Sequence, residues 1–236
     1  MKPYNAIDKI KDSIYFFRQL LLFKNRIVKK VTLKAKKEVI FDSKASDLLA
    51  SLFNYYGSDK STHHDYHEVY ASILPGSKRF AINKIFEIGI GSNDISVNQN
   101  MGENGIPGAS LRAFRDWAPN SLVIGADIDM KTMFNEDRIT TIFIDQLDLQ
   151  SFFTLGDVIG NEIELVVIDG LHTPRADLNS LIGVYPLVSK GGTVVIEDIS
   201  PKAALLLWSI AFVLLCPLVE VRIQKRKNGF IFTFKK

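Results

Sequence analysis

Five apolar runs in this chain end in acids. I-F-E-I-G-I-G carries Glu87, S-L-V-I-G-A-D-I-D ends in Asp127 and Asp129, and I-T-T-I-F-I-D-Q ends in Asp145 and Gln146. E-L-V-V-I-D-G carries Asp169, and G-T-V-V-I-E-D ends in Glu197 and Asp198. One such ending is ordinary, but five alike describe an edge lined with carboxylates. Such an edge suits a ligand that bears hydroxyls, amines or positive charge, because a carboxylate only accepts hydrogen bonds. Gly89 and Gly91 follow Glu87; lacking a Cβ, they permit positive φ and close approach of the backbone to a ligand. His172, three residues after Asp169, is a side chain that exchanges protons near neutrality. His63, His64 and His67 form a second group. A zinc site there would need further ligands, and no Cys is near, so they read as polar loop residues beside a cofactor.

These residues need strands and helices to hold them. The pattern predicts strands over residues 84–88, 121–129, 139–146, 164–170 and 192–198, each a buried apolar run. Between them it predicts helices over 110–117, capped by Ser110, over 149–159 and over 175–188. A further helix is expected over 45–55, and a polar loop over 91–108. Strands alternating with helices form a parallel sheet covered on both faces, and ligands of such sheets sit at the carboxyl ends of the strands. Two β-rich runs around Lys227-Asn228-Gly229 predict a C-terminal antiparallel hairpin. The expectation is one α/β domain, Rossmann-like, with a seven-stranded, mostly parallel sheet. Residues 203–216 are apolar nearly all round and read as a helix buried against the sheet, with membrane contact as the alternative.

A strand that runs into glycines serves two cofactor classes. A dinucleotide site needs G-x-G-x-x-G opening a helix at once, so that the helix N-terminus meets the pyrophosphate. Here residues 92–109 intervene. S-adenosylmethionine has no phosphate and carries a sulfonium charge. It suits Glu87 ahead of the glycines, Asp127 for the ribose hydroxyls, and Asp145 with Gln146 for the adenine amine.

E-I-G-I-G, G-A-D-I-D, the Asp145-Gln146 pair and the terminal hairpin resemble the class I S-adenosylmethionine-dependent methyltransferases. More narrowly, Y-G-S-D-K-S-T, P-G-A-S-L-R-A-F, I-D-G-L-H and V-I-E-D-I resemble the metal-dependent macrolide sugar O-methyltransferases of the mycinamicin and macrocin type. The resemblance covers residues 53–200 and implies S-adenosylmethionine and Mg2+ as cofactors. It implies Tyr56, Ser58, Asp59 and Ser110 as cofactor contacts, besides Glu87, Gly89, Gly91, Asp127, Asp145 and Gln146. It implies Asp169, Glu197 and Asp198 as metal ligands and His172 as general base, with O-methylation of a sugar hydroxyl on a glycan, a glycolipid or a glycosylated natural product. Ile168 stands where many members carry a second acid, which implies weaker metal affinity. Methylation of another small-molecule hydroxyl, of catechol type, and non-catalytic binding of cofactor or partner are the alternatives on this fold.

The chain has 236 residues, enough for one such domain over 45–236 with an extension over 1–44. Its one cysteine, Cys216, excludes an internal disulfide framework. The net charge of +3 is unevenly placed: residues 1–40 hold eleven Lys and Arg against three acids, a balance of +8, which leaves −5 on the rest. Within this basic arm Ile10, Ile14, Phe17, Leu20, Leu21, Ile27 and Val28 follow amphipathic helical spacing. It is expected to pack on the domain or on another subunit of a homo-oligomer, or to lie peripherally on an anionic membrane. The N-terminus lacks a long apolar stretch before a small-residue cleavage site, so a cytoplasmic location, or the inner face of a membrane, is expected. The basic residues cluster away from the strand ends, which argues against nucleic acid.

Overall fold

The computed structural model describes residues 42–199, 220–227 and 229–236, together with Lys11, Ile14 and Tyr15. The helices expected over 10–30 and 203–216 lie outside the described residues, apart from those three.

The strands are β1 Lys84–Ile88, β2 Leu122–Asp127, β3 Asn135–Glu136, β4 Ile139–Phe143, β5 Ile163–Ile168, β6 Val188–Ile199, β7 Glu220–Arg226 and β8 Gly229–Lys235. They form one sheet in the order β3-β4-β2-β1-β5-β6-β8-β7. Strands β4, β2, β1, β5 and β6 run parallel, and β3, β8 and β7 are antiparallel to their neighbours. The described sheet thus has eight strands where seven were expected. The addition is the two-residue β3, held by Thr141 Oγ1, which accepts from Phe134 N and donates to Phe134 O, each at 2.6 Å.

Among the described residues, five helices cover the sheet: α1 Ser43–Tyr56, α2 Tyr66–Ile73, α3 Ala109–Trp117, α4 Leu155–Ile159 and α5 Pro174–Val184. Asp42 caps α1 by accepting from Ala45 N, and Gly57 ends it in the left-handed conformation. Thr173 caps α5, with Pro174 in its first turn. The segment expected as one helix over 149–159 divides into a 3-10 turn, Leu149–Phe152, and α4. The end of the expected 175–188 helix is a separate 3-10 turn at Tyr185–Leu187, where Pro186 cannot continue an α-helix. Ser110 does not cap α3. The capping position is Gly108, at φ 75°, and the Ser110 hydroxyl turns to Glu87 instead.

Strand side chains alternate between two cores. Ile85, Val123, Leu165, Val167, Val195 and Ile231 pack beneath α1, α2 and α3, with Phe53, Tyr70, Phe114 and Trp117. Phe86, Ile88, Val166, Ile168, Val194, Ile196 and Phe232 pack against α4 and α5. This alternation decides where the acids point. Glu87, Asp169 and Glu197 share the parity of Ile85, Val167 and Val195, so all three face the α1–α3 layer. The register pairs Val167 with Val195, and two residues further on it sets Asp169 beside Glu197.

Candidate active site

The carboxyl ends of β1, β2, β4, β5 and β6 open into a cavity of about 610 Å³. Its lining includes Ser58, Asp59, Gly89, Gly91, Ser110, Asp127, Asp145, Gln146, Asp169, His172 and Asp198, all named from the sequence. Lys11 of the N-terminal segment also lines it. Tyr56, Glu87 and Glu197 do not.

One side of the cavity is the glycine turn after β1. Gly89 and Gly91 take φ 93° and 90°, the region that favours glycine. A Cβ on Gly89 would fall 2.2 Å from the carbonyl oxygen of Asp169, and one on Gly91 would fall 2.6 Å from Met101 Sδ. Asp127 holds this turn: its Oδ2 accepts from Ile90 N at 3.0 Å and Gly91 N at 3.2 Å, and its Oδ1 from Asp129 N at 3.1 Å. Burial pushes the Asp127 carboxyl up, against the pull of those amides. The loop over 92–105 folds against the turn, with Ser92 Oγ donating to Asp129 at 2.5 Å and Asn93 Nδ2 donating to Gly102 O and Gly105 O.

Asp145 lines the cavity at the end of β4, its Oδ1 accepting from Leu147 N. Gln146 has both ends of its amide engaged: Oε1 accepts from Leu171 N at 2.8 Å and Nε2 donates to Ser180 Oγ at 2.9 Å. It pins the Asp169–His172 turn, and a Cβ on Gly170 would lie 2.0 Å from Gln146 Oε1, so the amide would have to shift.

The opposite side is a cluster of Asp169, His172 and Asp198, which can each offer one ligand atom within 4.8 Å of the others. His172 Nε2 lies 3.8 Å from both Asp169 Oδ1 and Asp198 Oδ2. Adjacent strand residues normally face opposite ways, yet Asp198 joins Asp169. The β6–β8 pairing slips between Ile196 and Ile199, and Asp198 takes φ 53°; a bulge of this kind re-aims a side chain. Tyr66 donates to Asp198 Oδ1 at 2.5 Å, and His64 stacks on Tyr66 with its Nδ1 3.4 Å from the same oxygen. So one histidine of the 63–67 group reaches the site. Neither His63 nor His67 belongs to a ligand cluster among the described residues.

Glu87 and Glu197 lie below the cavity floor, 0% and 1% exposed. Between them stands Lys60, which sequence reasoning passed over although it sits inside Y-G-S-D-K-S-T. Its Nζ contacts Asp169 and Glu197 and lies 3.3 Å from Glu87. Burial would push this ammonium down, but the three carboxylates outweigh it and hold it well above the ordinary lysine value. One positive charge cannot neutralise three negative ones, and burial pushes both glutamates up. Tyr70 donates to the other oxygen of Glu197, and Ser110 donates to Glu87 at 2.7 Å. Tyr56 points away, toward α3, donating to Asp116 at 2.5 Å. Asp177, also missed, is wholly buried in α5, and its carboxyl has no hydrogen-bond partner among the described residues.

The donor set fits a hard divalent cation. Asp169 Oδ1 and Asp198 Oδ2 are the oxygens not taken by Lys60 and Tyr66, and two carboxylates leave coordination positions open for water or substrate.

No family model matches the chain. It is 32% identical over 151 residues to a tetracenomycin rhamnosyl 2'-O-methyltransferase of Streptomyces olivaceus, over 64% of this chain and 37% of that one. It is 35% identical over 92 residues to demethylmacrocin O-methyltransferase of Streptomyces fradiae, over 39% of this chain and 23% of that one. These matches thus span well under half the length of those relatives. Among solved structures, MycE of the mycinamycin pathway, in complex with Mg and SAH, superposes with a TM-score of 0.63 at 23% identity, over 79% of this chain and 54% of that one. A second MycE structure, which also holds mycinamycin VI, superposes at 0.64 and 21% identity, over 79% and 54%. The chain has the class I S-adenosylmethionine-dependent methyltransferase fold and resembles, in sequence, the sugar O-methyltransferases of glycosylated natural products.

Proposed function

We propose that this protein transfers the methyl group of S-adenosylmethionine to a hydroxyl of a sugar, on a glycosylated natural product, a glycan or a glycolipid, with Mg2+ as helper. The observation that carries the reading is that one cavity joins the Gly89–Asp127–Asp145 side to the Asp169–His172–Asp198 cluster. When bound, the cofactor supplies an electrophilic methyl group and the cation a Lewis acid for the acceptor oxygen. Asp127 and Asp145 accept from the ribose and adenine of the cofactor, beside the open backbone at Gly89 and Gly91. Asp169 Oδ1 and Asp198 Oδ2 hold the cation. His172 Nε2, which faces both oxygens, takes the proton of the acceptor hydroxyl. Holding that hydroxyl in line with the methyl group supplies much of the remaining acceleration.

The similarity of the chain to sugar 2'-O-methyltransferases supports the choice of acceptor class. The balance of +8 in residues 1–40 further suits an anionic membrane surface. Liposome sedimentation without arm-dependent binding to anionic lipid would remove that contact.

The test is calorimetric titration with S-adenosylmethionine, with and without Mg2+, with NAD as control, followed by transfer of labelled methyl to a panel of rhamnosides. Binding of S-adenosylmethionine and not of NAD is expected. Failure of the folded protein to bind it would sink the methyltransferase reading and favour a partner-binding module.

A further inference from the structure

A second cavity, of about 330 Å³, opens at the other end of the sheet, beside the starts of β6 and β7 and the end of β8. It lies on the α1–α3 face, where α2 stops at Ile73. Strand parity gives that face. Val195 and Ile231 pack beneath α1–α3, so Thr193 and Thr233, two residues away along β6 and β8, point the same way. The register sets Lys235 opposite Thr193, Arg222 opposite Thr233 and Gln224 opposite Ile231, and paired residues share a face. All five polar residues line the cavity, although the same face of β6 and β8 turns apolar two residues further in. Lys78 and Lys190 line it too, so four bases stand against one acid, Glu164. Residues 41–236 as a whole carry −5. Glu164 is engaged with the start of β1, accepting from Lys84 N at 3.0 Å and Asn83 N at 3.3 Å. Lys78, Lys190 and Lys235 are exposed and form no salt bridge among the described residues. Thr193 and Thr233, by contrast, are only 6% and 7% exposed. Gln224 Oε1 is buried with no hydrogen-bond partner among the described residues, a state that costs stability until a donor reaches it.

We propose that this second cavity binds a phosphate group. Its bases meet the phosphate oxygens in charge-assisted hydrogen bonds. The threonine hydroxyls are further donors to those oxygens. Gln224 Oε1 accepts from the O–H of a monohydrogen phosphate, or from a hydroxyl carried by a phosphomonoester. The volume exceeds that of a phosphate ion, which leaves room for the body of a small ester. The bases line one cavity instead of forming a stripe along the surface, which favours a small ligand over a nucleic acid. The site does not depend on the methyl-transfer reading: along β6, Thr193 and Glu197 are separated by about 13 Å of strand.

The experiment is calorimetric titration of the full chain with sodium phosphate, ribose 5-phosphate and ribose in turn, at constant ionic strength and without Mg2+. Wild type is compared with the double variant Lys190→Ala/Lys235→Ala, with Gln224→Leu, and with Arg175→Ala, which removes a base of the active-site cavity. Saturable binding of phosphate is expected, with a Kd of about 1 mM or below. The double variant should weaken it at least about tenfold, and the distant Arg175→Ala by less than about twofold. Both lysines are exposed, so the double variant is expected to fold, and Lys78→Ala, outside the sheet, repeats the test. Gln224→Leu removes the unpartnered oxygen, so it should melt no lower than wild type without ligand and bind phosphate at least about threefold more weakly. Tighter binding of ribose 5-phosphate than of phosphate would name an ester as the occupant, and equal binding the free ion. Failure of the folded wild type to bind either would overturn the proposal. So would binding that survives the lysine changes, or ribose binding as tightly as its phosphate. A loss in Arg175→Ala as large as in the double variant would also overturn it, by placing the anion in the active-site cavity.

Discussion

His172 and Asp177 are five residues apart and pose opposite problems. His172 keeps Nε2 toward two carboxylate oxygens at the cavity wall. As a general base it contributes through proton transfer, so His172→Ala should lower kcat by about 10²–10⁴-fold while S-adenosylmethionine binding stays unchanged. Calorimetry beside turnover measurements checks this; loss of Mg2+ binding in the same variant would make His172 a ligand and not the base. Asp177 has no visible task, and burial, together with Asp169 and Asp198, pushes its carboxyl well above the usual range. The folded protein then holds a proton that the unfolded chain releases above its ordinary value of 3.8. Stability contributed by this group is full below that value and is lost as pH rises toward the folded value. Asp177→Asn stays neutral at every pH. It should stabilise the protein at pH 7, by on the order of 1–3 kcal/mol, and by much less near pH 4. Melting curves at the two pH values check it, and an equal effect at both would refute the assignment.

Among the elements, the turn after β1 carries the tightest geometry. Gly89 sits at φ 93° with the Asp169 carbonyl where a Cβ would go. Backbone cannot yield as a flexible side chain can, so Gly89→Ala must move β1 against β5. The expected cost is at least about 2 kcal/mol, from the strained φ and the overlap together. Because Asp169 directly follows β5, the same change should weaken Mg2+ binding as well as cofactor binding. Chemical denaturation and both titrations test this; a stable variant with intact Mg2+ affinity would show the two strand ends to be independent.

For the whole molecule, the C-terminal hairpin closes the site from behind. Arg226 Nε donates to Asp65 Oδ1 at 2.8 Å and its NH2 to Asp65 O at 2.7 Å and to Glu68, tying β7 to the start of α2. The same helix supplies Tyr66 to Asp198 and Tyr70 to Glu197. Arg226→Ala leaves Asp65 and Glu68 without this partner, at a cost of about 1–3 kcal/mol. It should also speed proteolysis within residues 57–68. Unchanged melting temperature and cleavage rate would show that the hairpin does not brace the site.

Much of this was legible in the sequence. The parallel strands were visible because each is a short apolar run closed by an acid, and a sheet buried on both faces requires such runs. Strand β1 was expected over 84–88 and is Lys84–Ile88. The glycine turn was visible because only glycine fits its φ and its close contacts. Helix ends were less so. Whether Ser110 capped α3 or served Glu87 depended on a strand distant in sequence. Lys60 was the largest omission, since a lone lysine in a polar loop looks solvated until the loop is laid over the sheet. The sequence by itself determined which side chains reach the strand ends, through the period of two and the acid at each end. Only the tertiary structure decided which acids are open to a ligand. That choice depends on the β5–β6 register, on the bulge that turns Asp198 outward, and on a lysine brought in from before β1 to bury Glu197.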